Sequence, residues 1–162
     1  MNTDDGFDGI EKMDRNELFP AEPLIPHRHH MRLLEWVRRP IEKTLQAETT
    51  VNPDWPLHRD GMVSSLICIE LVAQTIAALR TWNEGKGAES RLGFVVGLKK
   101  AEFSPSSIPV GTRLVIHIAE TYHVKEYAVY EGQVNSGSDF TFKTTIQVME
   151  PEEGVLPDLA AR

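Results

Sequence analysis

Residues 64–82 (SSLICIELVAQTIAALRTW) constrain the fold of this chain more than any other stretch. Ala, Leu and Gln favour helix through the middle, Ser64 or Ser65 can cap its start, and Asn83 with Gly85 end it. Leu66, Ile69, Leu71, Val72, Ala73, Ile76, Ala77 and Leu79 cover nearly every side of that helix. A helix that is apolar all round must be wrapped by other structure. About 18 residues give it a length of roughly 27 Å. Glu70 interrupts the pattern, with apolar neighbours at positions 66, 67, 69, 71 and 73. A carboxylate in such surroundings is paired or has a chemical task; the opposing reading lets it reach solvent or a subunit seam at an edge of the helix. Gln74, at i+4, shares its face, so the two side chains can form one polar site.

What surrounds the helix has a different period. Met31, Leu33 and Leu34 with Trp36 and Val37 predict a first strand, and residues 44–51 (TLQAETTV) alternate as a second. Beyond the helix, residues 93–98, 113–119, 127–135 and 140–149 read as four more. Residues 109–111 and 136–139 are turns, the latter a hairpin. Two strands, one wrapped helix, then four strands predict an α+β arrangement, an antiparallel sheet around the helix. Residues 23–150 make up this domain. Residues 1–22, polar and acidic, are expected to form a flexible arm or short helix outside the core, and residues 151–162 a flexible tail.

Bulk properties exclude several classes. The 162 residues fit one domain with a real core, and 25% charged against 41% apolar residues fits neither disorder nor a membrane protein. A net charge of −7 argues against nucleic-acid binding, which needs clustered Lys and Arg. It still allows an acidic protein partner to meet a small basic patch; Arg38 with Arg39, and Lys99 and Lys100 with Arg91, are the candidates, each by default a solvated pair. Cys68 is the one cysteine, so no intramolecular disulfide forms, and its apolar neighbours predict burial as a small hydrophobe. No secretory signal opens the chain and no apolar run reaches the roughly 18 residues of a membrane span, so a cytoplasmic protein is expected.

The loop before the helix offers further site residues. Amides around Gly61, Met62, Ser64 and Ser65 are expected to be free to hold a carbonyl oxygen. His58 lies on the same loop, and a His–Glu pair across a cleft can remove one proton and deliver another. The His27, His29 and His30 cluster lacks metal-ligand spacing, so structural hydrogen bonding and no metal are expected there. His117 and His123 read as surface positions. No phosphate loop or serine-hydrolase elbow is present, and no cofactor is implied.

Three segments, in order, resemble the 3-hydroxyacyl-[acyl-carrier-protein] dehydratases. LIPHRHHMRLLEWV is similar to their opening "L-P-H-R-x-P", IELVAQTIAAL to their helix with "E-x-[ML]-A-Q", and GLKKAEFSPSSIPVGTRLVIHIAE to their "A-R-F-x-x-P-V-x-P-G-D" strand and turn. A nearer resemblance is to the divergent branch serving aryl-polyene pigment clusters, through PLHRDG at residues 56–61 and RLGFVVG at residues 91–97. The resemblance implies a hotdog fold and loss of water from a 3-hydroxyacyl thioester held on acyl carrier protein or CoA. It gives Glu70 the role of general acid, with Gly61, Met62, Ser64, Ser65 and Gln74 binding substrate; His58 serves as the base only if the loop is two residues shorter than in the family. It also implies a homodimer, or a heterodimer with another hotdog dehydratase, joined sheet edge to sheet edge. The chain departs from the family's "G-H-F-P-x-x-P-x-x-P-G": Pro56 occupies the position of its His, and Ser65 that of its oxyanion Gly. That departure leaves two alternatives beside the enzyme, a non-catalytic subunit of a heteromeric dehydratase and an acyl thioesterase.

Overall fold

The computed structural model describes residues 17–85, 93–137 and 139–150, with Phe140 described by its backbone alone. Strand β1 (Leu18–Pro20) leads through a short turn at Glu22–Leu24 and another at His29–Met31 into β2 (Trp36–Arg38) and β3 (Thr44–Thr50). A small hairpin, β4 (His58–Arg59) and β5 (Met62–Ser64), precedes helix α1 (Ile67–Glu84). The chain then forms β6 (Phe94–Ser104), β7 (Ser107–Pro109), β8 (Arg113–Val124), β9 (Tyr127–Ser136) and β10 (Phe140–Met149). Seven strands make one antiparallel sheet in the order β1-β2-β3-β8-β9-β10-β6, and β4-β5-β7 make a second.

The inner face of the large sheet wraps α1, as the uninterrupted apolar surface of the helix requires. Leu45 and Ala47 on β3, Leu114, Ile116 and Ile118 on β8, and Tyr130 and Val134 on β9 point inward with Leu71, Val72, Ile76 and Leu79 of the helix. Gly132 marks the closest approach of helix and sheet: a Cβ there would meet Val72 Cγ1 at 2.5 Å and Thr144 Cγ2 at 3.3 Å. Gly132→Ala is therefore expected to overpack this crossing and cost about 1–3 kcal/mol. In urea titrations the midpoint should fall at an unchanged m-value, and an unchanged midpoint would refute the tight crossing. Cys68 is fully buried, and burial pushes its thiol up to about 12.

Several expectations need correction. Residues 18–22 do not belong to an outlying arm: β1 pairs with β2 and Ala21 is fully buried. Residues 1–16 of that arm, the tail at 151–162, and Arg91 lie outside the described residues. The first strand expected from Met31 onward is confined to Trp36–Arg38, because residues 29–31 close a turn that starts at His29 with φ 54°. The helix starts after Leu66 with no side-chain cap. Ser65 Oγ instead donates to the Pro105 carbonyl at 2.6 Å, and Ser64 ends β5. The small sheet that takes up these serines left no sequence signal, since strands of two and three residues are too short to show a period.

One side of β6 pairs with β10, and among the described residues no strand lies beside the other. It is exposed along its length, Val95 at 47% and Val96 at 52%. On the outer face, Arg38, Arg39, Lys100 and Lys143 border a groove of about 880 Å³, together with Glu102 and Glu131. The groove has mixed charge, as a solvated face does. Among the described residues no helix is long and apolar enough to cross a membrane.

Candidate active site

Glu70 sits in the first turn of α1, and Gln74 one turn on. Gln74 is fully buried and every polar atom of its amide is used. Its Nε2 donates to the Met31 carbonyl at 2.7 Å and to Glu70 Oε1 at 3.0 Å, while its Oε1 accepts from Leu33 N–H at 3.0 Å. Thr49 Oγ1 donates in turn to the Leu33 carbonyl at 2.6 Å. The helix carboxylate is thus tied through one amide to the loop before β2 and to β3. Gln74, expected among the substrate-binding residues, thus hydrogen-bonds the Glu70 carboxylate directly.

The same oxygen of Glu70 meets His27, whose Nε2 lies 3.1 Å away. The local sequence explains how that histidine is presented. Pro26 restricts the backbone beside it, buried Ile25 anchors the loop, and Arg28 Nη1 donates to the carbonyls of Ile25 at 2.6 Å and His27 at 2.8 Å. The Glu70 and His27 side chains remain 34% and 29% exposed, enough to meet a ligand. They open onto a cavity of about 260 Å³ between α1 and β6, bordered further along by Ala73, Ala77, Arg80 and Val95. A carboxyl group in contact with a histidine beside an apolar slot is suited to donating a proton to a bound, mostly apolar substrate.

The other expected site residues lie elsewhere. His58 is exposed on β4, opposite Val63, and does not meet Glu70 within one chain. Gly61, at φ 76°, turns the β4–β5 hairpin. The amides expected to be free are partly engaged: Ser64 N–H donates to the Leu57 carbonyl and Ser65 N–H to that of Ser106. None of Gly61, Met62, Ser64 and Ser65 borders the cavity beside Glu70. Among the described residues no group of three His, Cys, Asp or Glu side chains converges as metal ligands would. Sequence reasoning gave His27 no part in the site. Its signal was the position of the histidine inside the family-like L-P-H-R opening, directly after a proline.

One large antiparallel sheet wrapped around a long helix is the hotdog fold. The chain belongs to the ApeP-like dehydratase family, whose model (ApeP dehydratase) matches residues 19–159. Among solved structures it is similar to the dehydratase heterocomplex ApeI:P from Xenorhabdus doucetiae, at 23% identity and TM-score 0.74, over 83% of this chain and 93% of that one. It also resembles Cj0977, a sigma28-regulated virulence protein from Campylobacter jejuni, at 10% identity and TM-score 0.63, over 83% and 90% of the two chains. A hypothetical thioesterase with coenzyme A from Streptococcus pneumoniae shares 10% identity at TM-score 0.55, over 71% and 84%. No curated protein matches the sequence.

Proposed function

We infer that the chain dehydrates a 3-hydroxyacyl thioester, carried on acyl carrier protein or CoA, to the trans-2-enoyl form, with Glu70 as the general acid. The observation that carries this reading is the His27–Glu70–Gln74 cluster at a cavity whose wall beside Glu70 is formed by Ala73, Ile76, Ala77 and Val95. The elimination needs two proton transfers. A base takes the proton from Cα, the electron pair forms the Cα–Cβ double bond, and the hydroxyl leaves Cβ with a proton from Glu70. His27 holds the carboxyl toward the cavity, and Gln74 fixes its rotamer.

The base is assigned to a second chain. Strand β6, apolar over Phe94–Leu98, offers an edge with no strand beside it among the described residues, a natural site for a second hotdog sheet to add on. The cavity lies against that strand, so a partner there completes its wall. In a homodimer His58 of the second chain is the candidate base. In a heterodimer another dehydratase supplies the histidine, and the present chain contributes the acid. The separation of His58 from Glu70 within one chain, with the ApeI:P heterocomplex among the similar structures, favours the heteromeric arrangement.

Two histidine variants separate these roles. In an active homodimer, His58→Ala should cost about 10²–10⁴-fold in kcat as the lost base. His27→Ala should cost less and alter the pH profile, as expected for a group acting through Glu70. If His58→Ala is silent and activity appears only when a second dehydratase is co-purified, the chain is the partner subunit. Hydrolysis of acyl-CoA with no enoyl product would instead select the thioesterase alternative.

A further inference from the structure

The outer face of the large sheet changes character along its length. Around the groove it is charged, with Lys100, Lys143, Glu102 and Glu131. Toward the β8–β9 hairpin it becomes apolar across four strands. Met149 on β10 lies opposite Phe94 on β6 and Tyr127 on β9, and Tyr127 lies opposite Val124 on β8. Val129, the next outward position of β9, lies opposite Tyr122. Residues paired across strands share a face, and the alternate positions Ala128, Tyr130 and Val148 fill the core. Phe94, Met149, Val124 and Tyr122 are all exposed, Tyr122 most at 52%, and the Tyr122 and Tyr127 rings touch edge to face. A contiguous apolar patch of this kind marks a surface that something covers. A second sheet added at the β6 edge would extend the sheet sideways and leave this face open.

The chain itself supplies an occupant. Strand β10 ends at Met149, inside the patch, and runs between β9 and β6. Pro151 lacks the N–H that a further ladder step between those neighbours would need, so the chain must leave the sheet there. The residues that follow, EEGVLPDLAAR, carry large apolar side chains only at Val155, Leu156 and Leu159. Strand β8 lies two strands from β10, about 10 Å across the face. Six residues beyond Glu150 span up to about 20 Å, so Leu156 can reach Tyr122 and Tyr127 with slack. The family model runs past the last strand to residue 159, so this segment belongs to the domain the family shares.

We propose that residues 151–159 fold back over this patch, with Val155 and Leu156 against Tyr122, Tyr127 and Val129. The segment covers a face that would otherwise draw copies of the chain together. Its seat is independent of the chemistry at Glu70.

The test traps the seat by disulfide formation in the full chain in its purified assembly. Tyr122→Cys with Leu156→Cys is compared with Gln133→Cys with Leu156→Cys, since Gln133 lies at the charged end of the same face. Cys68 is fully buried and does not compete. Under mild oxidation the first pair should close within one chain about tenfold faster than the second, because a seated segment raises the effective concentration of the thiols. Intact mass and non-reducing gel mobility read the closure. Equal rates for the two pairs overturn the proposal. So does a Tyr122→Cys single variant that cross-links two chains as fast, which would make a second copy the occupant. Should Tyr122→Cys fail to fold, Val124→Cys takes its place. Leu156→Asp gives a second readout: binding of an apolar fluorescent dye should rise several-fold at an unchanged urea midpoint. Unchanged dye binding would show that Leu156 covers nothing, and the seat would be abandoned.

Discussion

Glu70→Gln is expected to lower kcat for dehydration by about 10²–10⁴-fold with little change in KM. The substitution is nearly isosteric, and the new amide oxygen can still accept the hydrogen bond from Gln74 Nε2 that the carboxylate accepts at 3.0 Å. Packing around the first turn of α1 should therefore survive. What is lost is the acid: an amide has no proton to give a departing hydroxyl, so water must leave as hydroxide. Unchanged KM with reduced kcat marks an interaction made in the transition state. Steady-state dehydration of a 3-hydroxyacyl thioester, paired with a urea titration showing an unchanged midpoint, makes the measurement. Activity within about twofold of wild type would remove Glu70 from the proton path, since general acid catalysis contributes far more than that.

The second large effect is on stability as well as activity. Gln74→Leu keeps the size and helix preference of the side chain but removes both halves of its amide. Leu33 N–H and the Met31 carbonyl, each bonded to Gln74, are left without that partner. Stranding the buried Leu33 N–H costs on the order of 1–3 kcal/mol, and the Met31 carbonyl, which is nearer to water, adds less, so a loss of about 1–4 kcal/mol is expected. Activity should fall too, because Glu70 loses the donor that fixes its rotamer. The urea midpoint and kcat of the variant, measured together, test both halves. A stable variant with reduced kcat would leave Gln74 a purely orienting role; a stable and fully active one would show that the bridge from loop to helix contributes nothing.

The mixed role of Gln74 shows how far the sequence could be read. Its spacing from Glu70 placed both side chains on one helix face, because the helical period is a local property. Spacing could not reveal that the amide also reaches Met31 and Leu33, far away in the chain, since those contacts exist only once the loop before β2 has packed on the helix. The same limit applies to the two histidines. His58 stands near Glu70 in sequence and apart from it in the folded chain. His27 is remote in sequence and touches it at 3.1 Å. A base and an acid are matched by the path of the backbone, and proximity along the chain is a poor guide to that path.

The strands β3, β9 and β10, the first half of β8 and the body of α1 were legible because each is long enough to repeat its period of two or of 3.6 residues several times. Strand β1, the small β4-β5-β7 sheet and the unguarded start of the helix were not, since two or three residues held by distant partners carry no periodicity.

By itself, then, the sequence determined that an apolar helix would be enclosed by an antiparallel sheet and that a carboxylate would ride on that helix. Both follow from local pattern and from the cost of leaving such a surface in water. The tertiary structure alone decided which histidine meets the carboxylate, how a buried amide aims it, and that a cavity runs beside it along the helix. Those contacts join residues that local rules leave independent, and only the closed fold brings them within reach of one another.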